Sequence, residues 1–240
     1  MIPREEIFEQ FNGLGLLEIR GNGLETVLLF EGKPLVYDAA DCAGSVGRFT
    51  VLLPSAQNLT AQLKIERAAG QGFSDETPLS EQIAPLLHLL PNGSYRLSLE
   101  DSIHQGMLDW DGWQWQDEAR MVSVKGYYPD WYDYEPEGMF VATQSDSLLS
   151  DDRINFYLGE IENGARPALI VLGVKNHHAS FILDGHHKLM AYYCCGIKPR
   201  FLRIEFAHEK KWSAQEAREV LGDITWDDVP FYLQWKSKND

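Results

Sequence analysis

The sequence predicts an α+β fold, with a β-rich N-terminal region followed by a small domain of alternating strands and helices. Three observations predict it. Short apolar or alternating runs separated by turn residues dominate the first half, as strands do. From about residue 136 the pattern changes to strand and helix in turn. The 240 residues are 44% hydrophobic, which is enough to bury a core in one large domain or two small ones.

The elements follow in order. "PREEIFEQF" places Ile7, Phe8 and Phe11 on one face of a short amphipathic helix. "LETVLLFEGKPLVYD" reads as a hairpin, because Glu31-Gly32-Lys33-Pro34 supplies turn chemistry between two apolar runs. "RFTVLLP" is a short buried strand. "LTAQLKIE" alternates, with Leu59, Ala61, Leu63 and Ile65 on one side, and reads as a strand. "SDETPLSEQIAPLLHLL" is a helical insertion that Pro85 interrupts. "SYRLSLE" and "ARMVSVKGYY" alternate again as strands. "YYPDWYDYEPEG" (127–138) is aromatic and acidic, and its two prolines disfavour helix; it reads as a linker or an extended binding loop, or alternatively as a surface segment whose rings pack on a neighbouring sheet.

Beyond it, "GMFVATQ" is a strand. "SDSLLSDDRINFYLGEIENG" is a helix with Ser150 as N-cap, Asp151 and Asp152 at its positive end and Gly164 just past its close. "PALIVLGV" and "HHASFIL" are strands joined at "KNHH". "HHKLMAYYCCG" is a helix ended by Gly196, and "PRFLRIEF" a closing strand. The tail adds a helix, "SAQEAREVLG", and an aromatic stretch, "ITWDDVPFYLQW", expected to pack back on the body. The expected division is thus residues 1–135, 136–210 and 211–240.

The formal net charge is -15. Such a chain repels phosphate backbones, which argues against sequence-independent nucleic-acid binding and leaves room for a basic protein partner or a nucleotide in a locally positive pocket. No run is long and apolar enough to span a bilayer, and the N-terminus lacks a secretory signal, so a cytoplasmic location without membrane contact is expected. The triplets at Asn58 and Asn92 then read as surface turns. Three cysteines, Cys42, Cys194 and Cys195, argue against a disulfide scaffold; the adjacent pair reads as buried packing thiols.

The chemistry concentrates in "FILDGHHKLMAYYCCGIKP" (181–199). A helix that opens on a glycine after a buried strand presents unpaired backbone N–H groups and a partial positive charge. Gly185 lets a ligand approach closely, the N–H groups from Gly185 to Lys188 can converge on an anion, and His187 and Lys188 add donors. The alternative is structural: Asp184 caps the helix, Gly185 eases the turn and His186 lies on the surface. The four histidines between His177 and His187 do not form one metal site, since the strand between the pairs spans roughly 17 Å; no metal ligand is assigned. A kinase would need a carboxylate base near the phosphate. Asp151 and Asp152 are candidates with a competing capping role, and Glu160 and Glu162 lie near the other end of that helix. Asp109 and Asp111 in "DWDGWQW" lack the remaining ligands of a calcium loop.

The segment from about Leu148 to Glu205 resembles the ParB/sulfiredoxin-like superfamily. "RINFYLGEIENGARPALIVL" is similar to the SI-x-x-x-G-x-x-x-P-I-x-V block of ParB N-terminal domains. It is followed by a strand pair, the turn "DGHHK" into a helix, and a closing strand. ParB proteins have G-E-R-R at that turn, sulfiredoxins G-C-H-R, and the free-serine kinases D-G-H-H-R, the nearest match. The resemblance covers about a quarter of the chain. It implies binding of ATP, ADP or CTP phosphates, with Mg, by Asp184, Gly185, His186, His187 and Lys188, and phosphotransfer with His187, Asp151 and Asp152 as catalytic candidates. The chain departs from the family in having Lys188 for the final arginine, a point charge in place of a bidentate fork. His186 stands where sulfiredoxins have their cysteine, and Cys194 and Cys195, roughly 12 Å further along the helix, do not replace it. Peroxiredoxin repair is therefore not expected. The resemblance thus implies a nucleotide- or phosphate-binding protein and extends to an ATP- or ADP-dependent phosphotransferase or a nucleotide hydrolase. The alternative is a non-catalytic acidic protein of the immunity or inhibitor type, motivated by the charge and by "YYPDWYDYEPEG". Partitioning of DNA fits least, because no helix-turn-helix follows the ParB-like block.

Overall fold

The computed structural model describes residues 4–21, 25–40, 48–52, 59–69, 73–74, 76–101, 116–117, 121–123, 126–127, 139–144, 148–175, 177, 179–208, 210, 216 and 219. Strands β1 (Arg4–Gln10), β2 (Leu17–Gly21), β3 (Glu25–Phe30), β4 (Lys33–Ala40) and β5 (Arg48–Leu52) precede helices α1 (Leu59–Ala69), α2 (Leu79–Gln82) and α3 (Ala84–Leu89). Strands β6 (Gly93–Asp101), β7 (Gln116–Asp117), β8 (Met121–Ser123), β9 (Gly126–Tyr127) and β10 (Met139–Val141) lead to α4 (Asp151–Glu162), β11 (Leu169–Val174), β12 (Ala179–Asp184), α5 (His186–Cys195) and β13 (Arg200–Phe206). The fold is α+β with two mixed or antiparallel sheets.

A seven-stranded sheet has the order β1-β6-β13-β11-β12-β10-β9, and a six-stranded sheet the order β2-β3-β4-β5-β8-β7. In the first, β11 runs parallel to β13, and β10 parallel to β12, while the remaining pairs are antiparallel. The two sheets share one apolar core. Leu17, Leu28, Phe30 and Val36 of the six-stranded sheet pack in the same cluster as Leu97, Ile170, Leu172, Leu202 and Ile204 of the seven-stranded one, with Leu79, Leu86 and Leu87 from α2 and α3. A second cluster lies on the opposite face of the seven-stranded sheet. There α4 and α5 cover Leu169, Val171, Ile182 and Phe201 with Ile161, Leu189 and Tyr192. The alternation of Leu169 and Val171 with Ile170 and Leu172 along β11 assigns neighbours to opposite faces, as the pleat requires.

Most elements fall where the sequence puts them. The β3–β4 hairpin turns at Glu31-Gly32, both at positive φ (51° and 73°). The helix from Ser150 closes before Gly164 at φ 91°, and α5 closes at Gly196 at φ 64°. Pro85 divides the predicted helical insertion into α2 and α3. Two expectations are overturned. "REEIFEQ" is strand β1, not a helix, and Ile7 and Phe11 are exposed, at 64% and 75%. The register Arg4↔Leu99 to Gln10↔Gly93 holds it on β6, and Phe8 faces the core. "LTAQLKIERAA" is helix α1, not a strand: among its residues from Leu63 on, Ile65 and Ala69, one turn apart, are the buried ones. The chain "ARMVSVKGYY" contributes β8 to one sheet and β9 to the other.

Residues Met1–Lys210 form one compact unit and Lys211–Asp240 another. The boundary expected at residue 135 is not a break in the sheet, because β6 on one side of it pairs with β13 on the other along seven residues. The second unit is described only at Glu216 and Glu219, both helical, within the helix read from "SAQEAREVLG". Cys42, Asn58, Asp109, Asp111, His178, residues 128–138 and the aromatic tail lie outside the described residues. Among the described residues no helix is long and apolar enough to cross a membrane.

Candidate functional site

The singled-out turn forms the junction of β12 with α5. Gly185 stands at the N-cap with φ 109°, a backbone conformation that a side chain strains. A Cβ there would meet Leu169 at 3.0 Å, so the glycine also permits close packing of the turn on β11. In α5 the first in-helix bond is donated by the Leu189 N–H to the Gly185 carbonyl, at 2.8 Å. The N–H groups ahead of it belong to the open helix end.

The two histidines are interior residues, each 6% exposed, contrary to a surface position for His186. His186 Nε2 accepts the Thr143 N–H at 3.0 Å, and the Thr143 hydroxyl donates to the Ile182 carbonyl at 2.6 Å. His187 Nε2 accepts the Ser150 N–H at 3.1 Å. The two rings therefore strap both ends of the segment 143–150 onto the start of α5. Burial pushes the His186 pKa down to about 3, and the neighbouring His187 adds to this. Burial also lowers the His187 pKa; the Arg153 guanidinium acts in the same direction, and Asp184 and the Leu148 carbonyl act against both. Both rings are thus neutral acceptors at pH 7, each with its other nitrogen carrying the proton.

Lys188 points back along the helix. Its Nζ donates to Asp184 Oδ2 at 2.5 Å and to the Ala168 carbonyl at 3.0 Å, and lies 5.8 Å from the centroid of the Tyr157 ring on α4. Asp184 is the last residue of β12 and partners Lys188; it makes no cap of α5. The ion pair is largely buried, with side chains 12% and 13% exposed.

The bond from Ser150 to His187 settles which carboxylates share this end of the molecule. Ser150 precedes α4, so the exposed Asp151 and Asp152 in its first turn lie beside the α5 terminus. Glu160 and Glu162 are roughly 13–16 Å further along the helix axis, where Glu162 acts on Cys195. The Ile154 N–H to the Ser150 carbonyl, at 3.0 Å, is the first in-helix bond of α4. Ser150 itself makes no side-chain cap bond, so its expected role passes to its backbone. Two open helix ends therefore meet.

Three residues of this site escaped the sequence reading: Thr143, Gln144 and Arg153. Gln144 follows Thr143, is 7% exposed, and its side-chain Nε2 is buried without a hydrogen-bond partner. A buried amide donor without an acceptor costs about 1–3 kcal/mol. The signal available for it was the polar run that follows the apolar strand in "VATQSDS". The cysteines differ from expectation as well. Cys194 is exposed, while Cys195 is partly buried against the apolar cluster under α5, with its thiol pKa raised by burial and by Glu162. Comparison with family models, with curated proteins and with solved structures found no match to this chain.

Proposed function

We propose that the chain is a nucleotide- or phosphate-binding protein of the ParB/sulfiredoxin-like kind, taking an anion where α4 and α5 begin. The observation that carries this reading is the bond that joins the start of α4 to His187 of α5, together with the buried, unpartnered amide of Gln144, the chain neighbour of the Thr143 that bonds His186. Each open helix end carries partial positive charge, and the amide lacks an acceptor of the sort a phosphate oxygen supplies. The element order α4, β11, β12, Gly185, α5, β13 agrees with the blocks read from the sequence. The assignment of donors changes. His186 and His187 hold the 143–150 segment, and Lys188 holds Asp184. The anion is left to the backbone N–H groups of Gly185 to Lys188, to Gln144 and to Arg153. His187 is thereby a positioning residue, with a ring nitrogen already accepting a proton-bearing amide. For phosphotransfer with ATP, ADP or CTP and Mg, this reading assigns the acceptor's hydroxyl proton to Asp151 or Asp152, which stand in the first turn of α4.

Isothermal titration of ATP, ADP and CTP, with and without magnesium, tests this. One nucleotide should bind, and Gln144→Ala should weaken it by about tenfold, the effect of losing one hydrogen bond to a charged group. No binding by any of the three to the folded chain would refute it. A turnover assay with Asp151→Asn and Asp152→Asn separates the transfer step, with a loss on the order of 10² expected for a proton-accepting carboxylate.

A second reading, an acidic protein that binds a basic partner, has one observation in its favour. Edge strand β1 exposes Ile7 between the outward Glu5 and Glu9, and Phe11 and Leu14 follow it exposed. A stoichiometric basic partner captured equally by wild type and Lys188→Ala would favour that reading.

A further inference from the structure

A cavity of about 360 Å³ lies on the face of the seven-stranded sheet opposite α5. Its walls are Leu17 and Ile19 of β2, Leu90 after α3, Leu172 of β11, and the stacked rings of Tyr95 and Phe206. This volume falls in the range of about 300–1,000 Å³ typical of small-molecule sites. The polar groups gather at the mouth. Glu18, only 8% exposed, accepts from Arg20 and from Lys210 Nζ, the latter at 2.7 Å. Tyr95 spends its hydroxyl proton on the Pro91 carbonyl at 2.8 Å, so it does not compete for a ligand. Burial and Glu18 both raise its pKa, which keeps that proton in place.

The charges at the mouth select the ligand. Glu18 is already matched by two cations, so a cationic ligand would have to displace Lys210. Lys210 has three N–H donors, and its side chain is 53% exposed. His208, exposed, lines the same mouth. Of the two charged residues that line the cavity, Glu18 is nearly buried and already paired with both Arg20 and Lys210, whereas the half-exposed Lys210 ammonium keeps N–H donors for an anion. We propose that this cavity binds a small monoanionic amphiphile, an alkyl or aryl carboxylate, with its apolar body between the two sheets and its carboxylate on Lys210.

The proposal stands apart from the nucleotide reading, since the two sites lie on opposite faces of one sheet. Titration calorimetry of the full chain with decanoate, decylamine and 1-decanol, each below its micellar concentration, tests it. Decanoate should bind one to one, more tightly than either of the others. Lys210→Gln should weaken decanoate about three- to fivefold, the size expected for one half-exposed charge, and leave 1-decanol unchanged. Leu172→Phe, which narrows the cavity, should weaken both; because Leu172 is a core residue, circular dichroism must confirm the fold, and the exposed Lys210 variant tests the proposal without it. Equal or tighter binding of decylamine, undiminished decanoate binding in Lys210→Gln, or no decanoate binding to wild type would overturn the proposal.

Discussion

Acid should loosen this protein through its two buried histidines, and through His186 most of all. His186 is neutral in the fold, where its ring accepts the Thr143 N–H in the interior and burial holds its pKa at about 3. In the unfolded chain the ring takes its proton near 6.5. Between those values the unfolded state binds more protons, so stability is complete above about pH 6.5 and falls as pH falls toward 3. Each pH unit inside the window costs about 1.4 kcal/mol, so the loss from pH 7 to pH 4.5 is about 2.5 kcal/mol and to pH 3 about 4 kcal/mol. Gln at this position keeps an oxygen able to accept the Thr143 amide and removes the titration. Urea unfolding of wild type and His186→Gln, followed by tryptophan fluorescence at pH 7.0, 5.5 and 4.5, isolates the term, because the carboxylates common to both chains cancel in the difference. Wild type should lose about 2.5 kcal/mol more than the variant between pH 7.0 and 4.5. Parallel profiles, within about 0.5 kcal/mol, would refute a buried neutral His186 as the cause.

Three further outcomes are expected. Gly185→Ala should destabilise by about 2 kcal/mol or more, through its positive φ and the contact with Leu169, read as a lowered urea midpoint without a changed slope. A double-mutant cycle of Asp184→Asn with Lys188→Met should give a coupling energy of about 1–3 kcal/mol in thermal or urea unfolding, because the pair is largely buried; a coupling near zero would show the pair to be solvent-screened. Limited iodoacetamide labelling with peptide mapping should modify Cys194 before Cys195, whose thiol is less exposed and harder to ionise.

The parts of the fold written in local chemistry were legible. The hairpin at Glu31-Gly32, the break at Pro85, the helix closed by Gly196 and the strand-to-helix turn at Gly185 each depend on residues within a few positions of one another. The failures have one physical origin. In "PREEIFEQF" the spacing of Ile7, Phe8 and Phe11 suits a helix, yet β6, some 90 residues away, supplies a ladder that local propensity does not outweigh. In "LTAQLKIE" an alternation over seven residues imitates the strand period, whereas Gln62, Lys64, Glu66 and Arg67 are good helix formers and Ile65 and Ala69, one turn apart, are buried. The same distance hid the work of the histidines. Thr143 and Ser150 lie 43 and 37 residues upstream of the rings they bond, so nothing local to "DGHHK" distinguishes a ring that accepts a backbone amide from one that donates to a ligand. The apolar neighbours Phe181 to Leu183 and Leu189 to Tyr192 were the one available hint of burial.

The pairing of β6 with β13 has a further consequence during synthesis. Asp101 faces Arg200, so one edge of β6 waits for about a hundred residues to be made before its neighbour exists. At ~5–20 residues per second this interval is roughly 5–20 s, and throughout it the nascent chain can close β1 on β6 and the β2–β3–β4 ribbon but not the sheet between them. Leu97 and Leu99, fully buried at the end, are then unshielded beside an open hydrogen-bonding edge. Chains stalled or cut anywhere before residue 206 should therefore associate with one another and fail to persist as soluble half-proteins, and expression of residues 1–135 alone should collect in the insoluble fraction.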